Sequence, residues 1–172
     1  IDEINIQLLQ KIRVQTIKYL NNNGKKIELG SWDKVLEMMT DKLNRTGRIG
    51  KGGFYQYPKS GKKYLWPDIE KHFPVSSNQI PEDDIIDRIY FSQAIEAVHC
   101  YEENIICSVS DANTGSIYGW GFPKTTGGIL NFVNNYGITD FRDRANYLSK
   151  NYGSRFSPPS LIKKMSKLGK TF

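Results

Sequence analysis

The sequence is poor in the residues that most enzyme chemistry uses. It holds two cysteines, Cys100 and Cys107, and two histidines, His72 and His99. Two cysteines build no disulfide framework. Both sit among apolar neighbours, so the expectation is a pair of reduced core thiols in a cytoplasmic protein. His99 and Cys100 are adjacent in a helical pattern, point to different faces and make poor metal ligands. His72 has no evident partner, and neither histidine has the company a general base requires. No metal ligand, cofactor-binding residue or catalytic residue is assigned from the pattern. No apolar run approaches the length of a membrane span. No secretory signal opens the chain, which starts Ile1-Asp2-Glu3. Ile1 in place of an initiator methionine gives the expectation of a processed chain or a fragment. The glycine-rich stretches lack the Lys-Ser/Thr of a P-loop and the third glycine of a dinucleotide fingerprint.

What is present is a globular composition. At 172 residues, 38% apolar and 12% aromatic, the chain can build one domain or two small ones with a proper core. The net charge of +6 is unevenly spread. Residues 42 to 63 carry Lys42, Arg45, Arg48, Lys51, Lys59, Lys62 and Lys63 without an acid. The tail carries Arg142, Arg144, Lys150, Arg155, Lys163, Lys164, Lys167 and Lys170 against Asp143. Between them lies an acidic helix with Glu82, Asp83, Asp84, Asp87, Glu96, Glu102 and Glu103. The expectation is that these segments neutralise one another. A nucleic-acid surface is the alternative reading of basic segments interleaved with aromatics, but no nucleic-acid motif accompanies the charge.

The chain is organised around Gly119-Trp120-Gly121-Phe122-Pro123 and the Thr125-Thr126-Gly127-Gly128 that follows. Glycine serves where the backbone takes positive φ or is closely approached. Proline pushes Phe122 towards an extended conformation. The stretch predicts a tight, non-helical corner that buries both Trp120 and Phe122, where helices converge on one core. An anion site is the weaker alternative.

Helical spacing predicts a helix over residues 2 to 20, capped by Asp2, with Ile4, Leu8, Leu9, Ile12, Tyr19 and Leu20 on its apolar face. Ser31 reads as the cap of a second helix, with Lys34 where a capping box would want Glu, and Val35, Leu36, Met39 and Leu43 inward. Next come the glycines of residues 47 to 53 and an alternating aromatic run, Phe54 to Tyr57. That run predicts a short strand pairing with Tyr64-Leu65-Trp66 as a small hairpin. Arg48, Lys51, Lys62 and Lys63 in this loop are the candidate contacts for an anion such as CoA. Residues 67 to 80 hold a short helical turn and a polar linker. Pro81 begins the strongest helix, 81 to 103, whose acidic first turn suits the helix dipole. Ile86, Tyr90, Ala94, Ala97, Val98 and Tyr101 are expected on its buried face. Ser110-Asp111 reads as the cap of a short helix leading to the corner. A helix follows from Ile129 to Gly137. Another, capped by Thr139 or Asp140, turns Phe141, Ala145 and Leu148 inward and stops near Gly153. After the extended link Phe156-Ser157-Pro158-Pro159, Ser160 to Leu168 forms a last helix anchored by Leu161, Ile162, Met165 and Leu168.

Several of these stretches, taken in order, resemble a known family over nearly the whole chain. They are Asp2-Glu3-Ile4, Asn44-Arg45-Thr46-Gly47-Arg48 with Gly52-Gly53-Phe54-Tyr55-Gln56-Tyr57, and Leu65-Trp66-Pro67. Asp87-Arg88-Ile89, Ala94-Ile95-Glu96-Ala97, Asp111 to Ile117, the Gly119 to Gly128 corner and Gly153 to Pro159 complete the set. Together they resemble the C-terminal region of the 3-hydroxyacyl-CoA dehydrogenase part of bacterial multifunctional β-oxidation α subunits. The resemblance implies an all-α fold of tandem helical repeats, with a small β-hairpin near 54 to 66. Residues 1 to 66 would be the latter part of the first repeat, 67 to 80 a linker, and 81 to 172 the complete second repeat. It implies a parent that oxidises (3S)-3-hydroxyacyl-CoA with NAD, partnered by its own NAD-binding and hydratase domains and by a thiolase subunit.

By the same resemblance, the family's NAD domain and its catalytic His and Glu lie outside this chain. Its catalytic Asn, in an Asn-Arg pair at the head of the first repeat, would precede Ile1. Asn44-Arg45 is a different element and inherits no role. The expectation is therefore a piece of an oxidoreductase that is inactive alone and binds no NAD itself, with self-association through apolar surface left by a truncated repeat. A stand-alone helical interaction module, or a CoA- or anion-binding module using the basic loop, is the alternative.

Overall fold

The computed structural model describes residues 1 to 27 and 29 to 172, and it is helical apart from one hairpin. The chain divides into two compact units, Ile1–Ser77 and Asn78–Phe172. No helix among the described residues is long and apolar enough to cross a membrane.

The first unit contains helices α1 (Ile6–Asn22) and α2 (Ser31–Glu37), the latter running on into a π-helical turn over Met38–Lys42. A two-stranded antiparallel hairpin follows, with β1 (Tyr55–Gln56) paired to β2 (Tyr64–Leu65), as the alternating aromatics predict. The short helix α3 (Ile69–His72) closes the unit. Helix α1 starts four residues later than the sequence suggests. Its cap is Asn5, whose side chain accepts the Gln7 N–H, because Asp2 is engaged elsewhere. Ser31 does not cap α2 either. Gly30 holds that position, and Asp33 accepts its N–H at 2.8 Å while pairing with Arg13 of α1. The core is small: Ile6, Leu36 and Met39 are buried, with Leu9, Val35, Leu43, Phe54 and Phe73 packed around them. Most of the expected apolar face of α1 is uncovered, with Ile4, Leu8, Ile12 and Tyr19 exposed.

The second unit packs α4 (Glu82–Glu102), α5 (Val109–Trp120), α6 (Ile129–Tyr136), α7 (Ile138–Tyr152) and α8 (Ser160–Leu168) around one larger core. Phe91 lies at its centre, fully buried, stacked on Phe141 at 4.3 Å and met edge-on by Tyr136 and Phe132. The buried face of α4 is thus rotated from the sequence expectation. It runs through Asp84, Phe91, Ala94, Ile95, Ala97 and Val98, whereas Ile86 is exposed. The register was masked because a carboxylate, Asp84, belongs to the inward face. Phe141, Ala145 and Leu148 point inward as expected. Gly137 ends α6 and also precedes α7, so neither Thr139 nor Asp140 is the cap. Ile162 and Met165 anchor α8, but Leu168 is exposed.

The glycine-rich corner differs from its expectation in where the helix before it begins and ends and in which ring it buries. Ser108, not Ser110, caps α5 by accepting the Asp111 N–H, and the helix then runs through Gly119 and Trp120. The reversal comes only at Gly121, the first left-handed residue, at φ 78°. Trp120 is therefore left outside, 55% exposed, with its indole N–H donating to Gln93. Phe122 follows the turn and is buried against Tyr90 and Phe132. Pro123 leads into a short 3-10 turn, Lys124–Thr126, and Gly127 and Gly128 both take positive φ before α6.

Candidate functional site

In the first unit, the N-terminal turn and the basic loop are built as one object. Asp2 is 7% exposed, and its carboxylate accepts the N–H groups of Phe54 and Tyr55 at 3.1 and 2.8 Å. A Cβ on Gly53 would stand 2.5 Å from that carboxylate, so a side chain at this position would expel Asp2. The Arg48 N–H donates to the Asp2 carbonyl, and the Ile6 N–H to the Thr46 carbonyl. Arg45, 8% exposed, threads beneath the hairpin. Its guanidinium donates to the Gly53 carbonyl at 2.7 Å and to Gln56, and lies 4.1 Å above the Trp66 ring. His72 stacks on Trp66 at 5.3 Å, which is the partner the sequence did not reveal. Burial pulls the Arg45 guanidinium below its usual value, opposed by the Asp2 and Asp68 carboxylates. A buried cation is tolerated here because its donors meet carbonyls and an aromatic face.

Two of the four candidate anion contacts come together, and they do so on an acid of the protein itself. Lys63 reaches one oxygen of Glu3 at 2.6 Å and Arg48 reaches the other at 3.0 Å. Lys63 first, then Arg48, holds the Glu3 carboxyl below the ordinary range. Lys51 and Lys62 are exposed and form no ion pair among the described residues. A cleft of about 230 Å³ lies between Glu3, Arg48, Tyr57, Pro58, Gly61 and Lys63. Burial, then the nearby Asp2 and Glu3 carboxylates, pushes the Tyr57 phenol up. Chemically the loop offers two cations sharing one carboxylate, which leaves one net positive charge. An entering anion must compete with Glu3 for both cations.

Side chains of the second unit do comparable positioning work. Asp84, 3% exposed, accepts from Arg144, Tyr147 and Tyr152, tying α4 to α7. Arg144 also pairs with Asp87 at 2.6 Å. These contacts realise the expected neutralisation of acidic α4 by a basic segment. The Tyr152 hydroxyl, foremost, and then Arg144 and Tyr147 hold the Asp84 carboxyl down against the cost of its burial. Burial works against the Arg144 charge, but the Asp87 and Asp84 carboxylates raise its pKa above the usual arginine value. At the corner, the buried Asn113 side chain accepts the Leu130 and Asn131 N–H groups at 2.9 and 3.1 Å, and the Ser116 hydroxyl accepts that of Ile129. The first turn of α6 is thus capped from α5. Sequence reasoning missed Asn113 and Ser116 because the residues they cap are 13 to 18 positions away.

The thiols depart from expectation. Cys100 is partly buried, whereas Cys107 is exposed and is not a core residue. His99 lies 3.9 Å from Glu102. Among the described residues no group of three or more His, Cys, Asp or Glu side chains is placed to hold a metal ion.

No protein-family model matches the chain. Curated relatives match it along its whole length. A fatty acid oxidation complex subunit alpha of Shewanella amazonensis is 35% identical over 178 residues, covering 100% of this chain and 24% of that protein. Proteins of the same name from Idiomarina loihiensis and Vibrio cholerae are 29% and 30% identical, again over the full chain. The chain therefore spans about a quarter of the length of the curated relatives it matches, aligning with their C-terminal part.

Proposed function

We propose that this chain is the C-terminal helical region of a multifunctional fatty acid oxidation α subunit, and within it of the 3-hydroxyacyl-CoA dehydrogenase part. The observation that carries the reading is the full-length match to the C-terminal quarter of proteins with that name. In the parent, the first unit is the end of one helical repeat and the second unit is another. Their role is to hold the acyl-CoA cleft against an NAD-binding domain elsewhere in the polypeptide. The polar staples fit this role: Asp2 on the hairpin, Arg45 beneath it, Asp84 between α4 and α7, and Asn113 on α6 fix backbone positions by side-chain bonds. Hydride transfer needs an oriented nicotinamide and a base. We assign both to other domains of the parent, so the chain alone is inactive and holds no NAD. The parent is cytoplasmic, binds acyl-CoA, carries its own hydratase domain and meets a thiolase subunit.

The exposed Ile4, Leu8, Ile12, Val14 and Tyr19 of the first unit support burial against other parts of the parent. In isolation the same surface drives self-association. Truncating the parent immediately before Ile1 tests the reading. Dehydrogenase turnover should be lost while hydratase turnover persists. Undiminished NADH oxidation with acetoacetyl-CoA by the truncated parent would contradict it.

A further inference from the structure

A second cavity, of about 440 Å³, opens on the outer face of α4, wholly within the second unit. Its walls are Ile85, Arg88, Ile89, Ser92 and Gln93 of α4 with Arg155 and Phe156 of the segment before α8. No carboxylate is among them, although α4 is otherwise an acidic helix. Neither arginine forms an ion pair among the described residues. Each is held instead against an aromatic face. The Arg88 guanidinium sits 4.7 Å from the Tyr152 ring centre, and that of Arg155 sits 4.8 Å from the Phe156 ring centre. The Arg88 Nε is buried with no hydrogen-bond partner. A buried donor without an acceptor is costly, and a charged one more so. Beside the two arginines, Ser92 and Gln93 add polar groups to the wall, and the apolar part is formed by Ile85 and Ile89, half exposed along one side. The Gln93 side chain is already committed, donating to the Ile89 carbonyl and accepting from Trp120.

We propose that this cavity binds an anionic headgroup carrying a short apolar chain. Arg88 and Arg155 take the headgroup, and the exposed Ile85 and Ile89 cover the chain. Two guanidinium groups fixed by stacking are pre-oriented, so little side-chain freedom is lost when an anion arrives. The apolar side walls distinguish the site from a simple phosphate patch, and the absence of a competing carboxylate distinguishes it from the Glu3 cleft. The proposal does not depend on the parent polypeptide.

The test is calorimetric titration of the full chain with octanoate, below its micelle-forming concentration, alongside octanol and inorganic phosphate. Octanoate is expected to bind saturably at one site, and octanol and phosphate each much more weakly. Arg155→Gln, at an exposed position, should weaken octanoate about tenfold, the loss expected for one charge-assisted contact, with the melting temperature unchanged. Arg88→Gln should weaken it at least as much. Three results overturn the proposal: no octanoate binding, equal binding of octanol, or an octanoate affinity that Arg155→Gln leaves unaltered.

Discussion

Replacing Gly128 with alanine should damage the second unit out of proportion to the added methyl group. Gly128 has φ 111° and ψ 176°, a conformation that is essentially glycine's own and costs any other residue about 1–3 kcal/mol. The new Cβ would also lie 2.5 Å from both Cα and Cβ of Asn113 and 2.7 Å from its Oδ1. These are backbone and near-backbone atoms that cannot swing away. Overpacking of this kind costs about 1–3 kcal/mol. Relief by moving α5 would pull Asn113 Oδ1 off the Leu130 and Asn131 N–H groups and strip the cap from α6, worth about 1 kcal/mol. Together these come to about 3–7 kcal/mol, a large share of the stability of a small domain. Gly121→Ala is the matched control. It too has positive φ, at 78°, but nothing lies within 4 Å of its added Cβ, so the cost should stay near ~1–2 kcal/mol. Urea unfolding, followed by near-ultraviolet circular dichroism with the slope checked for constancy, measures both. Equal midpoints for the two variants would refute the claim that close approach of α5, and not φ alone, fixes this corner.

Other predictions follow from the ion clusters. The folded-state pKa of Asp84 is depressed, so its contribution to stability is complete above the unfolded-state value near ~4 and is lost as pH falls through the lower folded value. Asp84→Asn should therefore lower the melting temperature at pH 7 and flatten its decline at acid pH; an unchanged acid limb would show that Asp84 is not the titrating group. Glu3→Gln should release Arg48 and Lys63 and tighten pyrophosphate binding a few-fold, the scale of an exposed ion pair. If titration shows no gain, the loop has no anion function and serves only as a staple.

The helices of the second unit were legible because punctuation and periodicity agree there. Gly137 and Gly153 stop helices where the pattern stops, and Phe141, Ala145 and Leu148 recur at one face. The hairpin was legible from its alternating aromatics. What the sequence hid were polar residues acting at a distance. Asp2 looked like a helix cap, yet it bonds a strand more than fifty positions away. Asp84 looked like a first-turn acid complementing a dipole, yet it is the buried acceptor for three residues of α7. Trp120 looked like core because its neighbours are glycines, and only the location of the left-handed residue decides that it is outside. The pairing of Arg48 and Lys63 with Glu3 was hidden because it depends on a fold that brings residue 3 to residues 48 and 63.

The central claim is that this chain is one part of a much longer enzyme, and the size of the native polypeptide tests it most directly. An antibody raised against the chain, applied to an extract of the source cell, should reveal a band several times larger than 19.7 kDa. A single band at the size of the chain itself would contradict the account and leave a free-standing helical protein whose role lies in binding.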